Sequence, residues 1–269
     1  MRETVPILDA EDPRIEPYRA VRERDLVGRQ GRFVAEGEVV LRVLLARSRF
    51  AVESLLLLES QVEKLASLLA GLPPVVPVYT VSRSVMDAIV GFAIHRGILA
   101  IGRRGPETSA DDLLARLPDR ALVLGLVGLT NHDNVGGIFR NAAAFGAGAV
   151  LLDPDTCDPL YRKAVRVSVG GSLVVPFARA PSASALCDAL DRAGFETVAL
   201  SPAGREFLSA TARAPRTALL LGAEGPGLPD AILARCRTAS IPMAGGFDSL
   251  NVATASGIAL HHFAGFGRA

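Results

Sequence analysis

Lysine is almost absent from this sequence. Lys64 and Lys163 are the only two, and the other 27 of its 29 basic residues are arginine. Twenty-eight carboxylates balance them to a net charge of +1, so overall charge neither demands nor excludes a nucleic-acid partner. A GC-rich genome produces such an arginine excess, although some of these guanidinium forks could hold phosphates bidentately. Aromatic residues amount to only 5%, and no RNA-binding RNP or KH motif appears, so base stacking gives no lead. Cysteine is scarce too: Cys157, Cys187 and Cys236 stand far apart, with no CxxC among them. That spacing disfavours a zinc cluster or a disulfide framework, and the odd number fits a reducing compartment. His95, His132, His261 and His262 have no metal-binding spacing, so no metal is expected. No apolar run reaches the ~18–20 residues of a membrane span, and MRETVPILDAEDPR lacks the apolar stretch of a secretory leader. These absences lead us to expect a soluble, cytoplasmic protein without membrane contact.

What is present reads as two α/β domains, in keeping with 269 residues and a hydrophobic content of 49%. Residues 11–30 are charged and predicted helical; strands follow at 32–37, 52–58, 75–81 and 95–102, with helices at 38–48, 59–71 and 82–91. The polar RRGPETSADD at 103–112 is the best linker, dividing the chain into domains 1–105 and 106–269. Beyond it, ALVLGLVGL (121–129) is almost wholly apolar, as suits a parallel strand covered on both faces. Helices are predicted at 111–117, 188–195 and 250–263, strands at 149–153, 196–200 and 217–222, and a loop entering a helix at 131–146. The basic run Arg162, Lys163, Arg166 could contact phosphate or form a solvated helix face.

Three glycine-bearing clusters follow predicted strands of the second domain, where open parallel sheets bind ligands. The first, Asn131 to Gly146, places Gly136 and Gly137 near a helix start, with Arg140 about one turn further in. The second runs from Leu219 to Pro229. Its GxxGxG suggests a dinucleotide turn, but Pro226 and Pro229 remove backbone donors and Glu224 would repel a pyrophosphate. The third, Ser240 to Val252, offers neutral polar groups and apolar side chains that suit an adenosine and a sulfonium better than a triphosphate. Ser249 could simply cap the last helix. There is no GxxxxGK[ST] anywhere in the chain.

In order, NxGxxxRxAxAFG at 134–146, LLGAEGPG at 220–227 and IPM…SLNVA at 241–253 closely resemble the three motifs of the SpoU (TrmH-type) RNA ribose methyltransferases of the SPOUT superfamily. The ordered triple covers about 120 residues. The front domain, with FVAEG at 33–37, also looks like the family's ribosomal-protein-L30-like substrate-binding domain. The resemblance implies a C-terminal α/β domain with a deep trefoil knot at roughly 217–260, an exception to the rule that chains do not thread their own loops. It further implies S-adenosylmethionine as cofactor, held by Leu221, Gly222, Ile241, Met243 and Leu250, and a homodimer formed through the knotted domain. The implied reaction is methyl transfer to a ribose 2′-hydroxyl of RNA, with ribosomal RNA favoured over transfer RNA.

By motif position the catalytic set is Asn134, Arg140, Glu224, Ser249 and Asn251. A guanidinium is a poor base at neutral pH, so Arg140 is expected to stabilise the developing alkoxide and grip the adjacent phosphate. Glu224 would orient Arg140 or its partners, and the other three would hydrogen-bond within the site. The alternatives are a transfer-RNA enzyme of the same chemistry and a non-catalytic RNA-binding homologue. The latter fits poorly with five intact polar positions.

Overall fold

The computed structural model describes residues 2–19, 23–90, 97–245 and 248–264. It divides into two compact units: one comprises 1–106 together with 160–174, the other 107–159 and 175–269. The boundary at 106/107 falls in the predicted linker. Residues 160–174, which the sequence division placed in the second domain, group with the first unit instead.

Unit 1 is built on a mixed sheet of β1 (Val5–Pro6), β2 (Arg32–Glu36), β3 (Ala51–Leu58), β4 (Val78–Val81) and β5 (Ile98–Arg103), in the order β1-β4-β3-β5-β2. β5 runs antiparallel to both β2 and β3, while β1, β4 and β3 are parallel. Four of these strands match predicted ones; the two-residue β1 had no pattern to announce it. The predicted helix at 11–30 is broken. Pro13–Tyr18 forms a 3-10 turn containing Pro17, which has no N–H to donate, and Glu23–Gly28 forms a short α-helix. The 59–71 helix likewise divides into Glu59–Val62 and Ala66–Ala70, joined by a tightened turn in which the Ala66 amide donates to the Glu63 carbonyl. The end of the 82–91 helix and the start of the 95–102 strand, with His95, lie outside the described residues.

Residues 160–174 add two short helices to this unit, Arg162–Val167 and Gly171–Val174. Arg162 donates to the Glu36 carboxylate at the end of β2 at 2.9 Å, and Arg166 lies 3.7 Å from the same oxygen. Glu36 is buried, so Arg162 belongs to an internal ion pair, whereas Lys163 and Arg166 are exposed, as on the solvated face weighed from sequence.

Unit 2 holds seven parallel strands in the order β10-β12-β9-β11-β6-β7-β8. They are β6 (Ala121–Leu126), β7 (Ala149–Leu152), β8 (Phe177–Arg179), β9 (Glu196–Leu200), β10 (Glu206–Phe207), β11 (Arg216–Leu221) and β12 (Arg237–Ser240). β6 is buried at every residue and pairs with β11 along its whole length, as its unbroken apolar run requires. Gly125 is glycine for packing: a Cβ there would fall 2.3 Å from Leu220 of the paired strand. The His132–Phe145 helix packs against the Val252–Ala264 helix. Asn141 donates to the Ala253 carbonyl at 2.7 Å and to Ser256 Oγ at 2.9 Å. Among the described residues no helix is long and apolar enough to cross a membrane.

Candidate active site

The loops after β9, β11 and β12 and the first turn of the terminal helix enclose a cavity of about 550 Å³. This is the carboxyl edge of the parallel sheet, and the size falls within the roughly 300–1,000 Å³ of small-ligand pockets. Leu221, Gly222, Glu224, Ile241, Met243, Ser249, Leu250 and Asn251 all line it. Residues nearly 30 positions apart in sequence are thus brought to one wall. Gly246 and Phe247 of the third cluster lie outside the described residues.

The glycines of the second cluster shape a tight turn. Gly225 and Gly227 have φ of 86° and 71°, and the Gly227 amide donates to the Ala223 carbonyl at 3.0 Å. Gly222 is required for a different reason. A Cβ there would lie 2.4 Å from the backbone of Gly227 and Leu228, so the loop closes over itself only because residue 222 has no side chain.

Asn251 organises the polar side of the site. Its Oδ1 accepts from the amides of Ala253 and Thr254 at 3.0 and 3.2 Å, which makes it the cap of the terminal helix. Ser249, the cap anticipated from sequence, does not fill that role and stays on the cavity wall. Because the Asn251 oxygen faces two donors, its amide nitrogen must point the other way. It donates to Asn134 Oδ1 at 2.8 Å and to Glu224 Oε1 at 3.2 Å. Asn134 is buried behind the cavity wall rather than lining it, and its own amide nitrogen has no partner among the described residues. One residue from each cluster therefore meets in a single hydrogen-bonded chain.

Arg140 stands apart from that chain. Six residues separate it from Asn134, about 600° of helix, so the two side chains leave on different sides. Asn134 turns inward, whereas Arg140 is exposed, does not line the cavity and has no hydrogen-bonded or ionic partner among the described residues. Sequence reasoning missed two further parts of the wall: Leu200, Ser201 and Pro202 after β9, and Asp248. The first could have been found from the same rule used for the other loops, since 196–200 was predicted as a strand.

The sequence profile of the SpoU rRNA methylase family matches residues 121–261, the stretch that contains all three clusters. The chain belongs to the SpoU rRNA methylase family. An uncharacterised tRNA/rRNA methyltransferase of Mycobacterium bovis is 40% identical over 268 residues, covering 95% of this chain and 90% of the relative. The 23S rRNA (guanosine-2′-O-)-methyltransferase RlmB of Salmonella typhi is 34% identical over 66% of this chain and 75% of its own. The crystal structure of an AdoMet-bound rRNA methyltransferase from Sinorhizobium meliloti superposes over 98% of both chains with a TM-score of 0.80 at 24% identity. As a SpoU protein the chain is an RNA methyltransferase that depends on S-adenosylmethionine.

The cavity fits that cofactor. Leu200, Leu221, Ile241 and Leu250 offer apolar surface for an adenosine, and the glycine-built 222–227 turn leaves main-chain groups uncovered along its edge. Glu224 and Asp248 place carboxylates on the cavity wall, which suits a sulfonium cation better than a phosphate.

Proposed function

We propose that this SpoU protein methylates a ribose 2′-hydroxyl of RNA, with ribosomal RNA favoured over transfer RNA. The observation that carries the reading is the Asn134–Asn251–Glu224 chain at the cofactor cavity. A ribose hydroxyl needs one acceptor for its proton and one donor for the oxygen as negative charge develops. Glu224 offers the acceptor, held in register by Asn251, which also ties it to the buried Asn134, and Arg140 is the donor. S-adenosylmethionine supplies a methyl group on positively charged sulfur when bound. The residues around it align the hydroxyl and exclude water. Relatives described as 2′-O-methyltransferases support the same acceptor.

Leu221, Gly222, Ile241, Met243 and Leu250 hold the cofactor, and Ser249 adds a hydroxyl on the same wall. Arg140 acts across a homodimer interface, reaching the partner's cavity to stabilise the alkoxide and grip the neighbouring phosphate. Its exposed position away from its own cavity supports this, as does the exposed Ile258 on the adjoining terminal helix. The 217–260 segment threads as a trefoil knot, a reading supported by the insertion of β12 between β10 and β9 and by the close crossing at Gly204, where a Cβ would lie 2.4 Å from the Ala239 backbone. Unit 1 is the L30-like domain that receives the RNA substrate.

The test is transfer of labelled methyl from S-adenosylmethionine to ribosomal RNA, followed by alkaline hydrolysis. A methylated ribose cannot attack its own 3′ phosphodiester, so the label is expected in alkali-resistant dinucleotides. Label recovered in alkali-released mononucleotides would place the methyl on a base and overturn the reading.

A further inference from the structure

The register of the unit 1 sheet gathers arginines at one of its ends. β5 runs antiparallel to β2 and β3, so its last residue, Arg103, lies opposite both Arg32 and Ala51. The Arg104 amide then donates to the Gly31 carbonyl at 2.8 Å, holding the 29–32 loop beside the end of β5. The 47–50 loop enters β3 at the same edge. Across residues 25–32, 47–53 and 103–104 stand Arg29, Arg32, Arg47, Arg49, Arg103 and Arg104, while the same segments contain two acidic residues, Asp25 and Glu53. The chain-wide frequency of 27 arginines in 269 residues would place about two in these 17 positions, so composition alone does not explain six.

Most of this charge faces water. The Arg29 and Arg103 side chains are 84% and 63% exposed, and Arg47 and Arg49 are exposed too. Glu53 lies beneath, taking Arg32 at 2.7 Å and Arg103 at 2.8 Å, and so fixes two guanidinium groups as a base for the rest. Arg49 is held over the Phe50 ring at 4.5 Å, and that ring packs edge-on against Phe33 at 5.2 Å. Partial burial, and secondarily the charge of Arg104, lower the Arg49 pKa to about 10. It remains a cation at neutral pH, but one whose surroundings favour a nearby anion.

We infer that this arginine edge of unit 1 is a docking face for the phosphate backbone of RNA. Planar forks on three adjacent loops match successive phosphates. The inference rests on the RNA-methylating reading above and deepens it by naming the residues of unit 1 that grip the substrate.

The triple variant Arg29→Glu, Arg47→Glu, Arg104→Glu tests it, with the Gln triple as a second variant that removes charge without reversing it. Calorimetry with S-adenosylmethionine and thermal unfolding report whether the fold and cofactor site survive. Binding of a labelled ribosomal-RNA fragment is followed between 50 and 300 mM salt. Each lost phosphate contact should lower the slope of log K against log salt by roughly 0.7–0.9, so the triple should lose about two units or more. The KM for RNA should rise at least ~10-fold, with kcat nearly unchanged. An unchanged slope and KM in either folded variant would overturn the docking face while leaving the methyl-transfer reading intact. Conversely, a wild-type protein that binds RNA through these arginines but methylates none would sink the reading and spare the face. Retained RNA affinity with lost binding to phosphatidylglycerol vesicles would reassign the edge to a membrane surface and overturn the proposal.

Discussion

Asn251 divides one amide between two tasks, and the tasks separate by substitution. Asn251→Asp keeps the oxygen that caps the terminal helix, but it cannot donate to Asn134 and sets a second carboxylate against Glu224. Its thermal midpoint should stay close to wild type while methyl transfer falls about 100-fold, the scale of losing one preorganised donor. Asn251→Ala should lose both, with roughly 1 kcal/mol of helix stability gone as well. An active Asn251→Asp enzyme would show that the chain is structural only. Gly222→Ala probes the loop that closes on itself: its methyl would displace the Gly227–Leu228 backbone, at a cost of about 1–3 kcal/mol, and calorimetry should find cofactor affinity much reduced. Arg140→Ala should leave cofactor affinity unchanged and reduce transfer at least ~100-fold. Because the arginine is assigned to the partner's cavity, mixed dimers of Arg140→Ala and Gly222→Ala should regain activity, since one of the two cavities has an intact loop and an intact arginine. Absence of any recovery in verified mixed dimers would return Arg140 to its own protomer.

The Arg162–Val167 helix shows what a pattern of residue types can and cannot convey. RKAVRV reads as a basic surface helix, and nothing in it reveals that Arg162 meets a buried Glu36 donated by a strand 126 residues earlier. Glu36→Gln should lower the unfolding free energy measured in urea by a margin approaching the ~3–5 kcal/mol seen when one member of a buried pair is removed. A loss below ~1 kcal/mol would mean the contact is marginal. By contrast β6 and β11 were legible because burial on both faces demands an unbroken apolar run, and the structure places both at the centre of the sheet. β12 was not, since RTAS is short and polar and becomes a strand only through its neighbours β9 and β10. The site divides the same way. The clusters drew notice by following strands, but the ten expected residues came from the motif resemblance, and eight of them line the cavity. Which polar residue caps the last helix, and which helix face carries Arg140, depended on rotation about helix axes that residue spacing near a helix start does not fix.

The chain passes between the two units three times, at 106/107, 159/160 and 174/175. A fragment starting at 107 would retain residues 160–174 without the strand that supplies Glu36, leaving the charged and apolar face of those helices uncovered. Such a fragment should unfold at least several degrees below the full chain, or aggregate, and restoring residues 1–106 as a separate polypeptide should recover part of the difference. A fragment as stable as the whole would show that 160–174 folds without unit 1. If the passage matters, the front half cannot be traded between members of the family by a single splice at the linker. A chimera that takes its first hundred residues from one parent must also take the fifteen at 160–174 from that parent. Recombination therefore has to cut this gene in three places to exchange what looks, on the page, like an independent module.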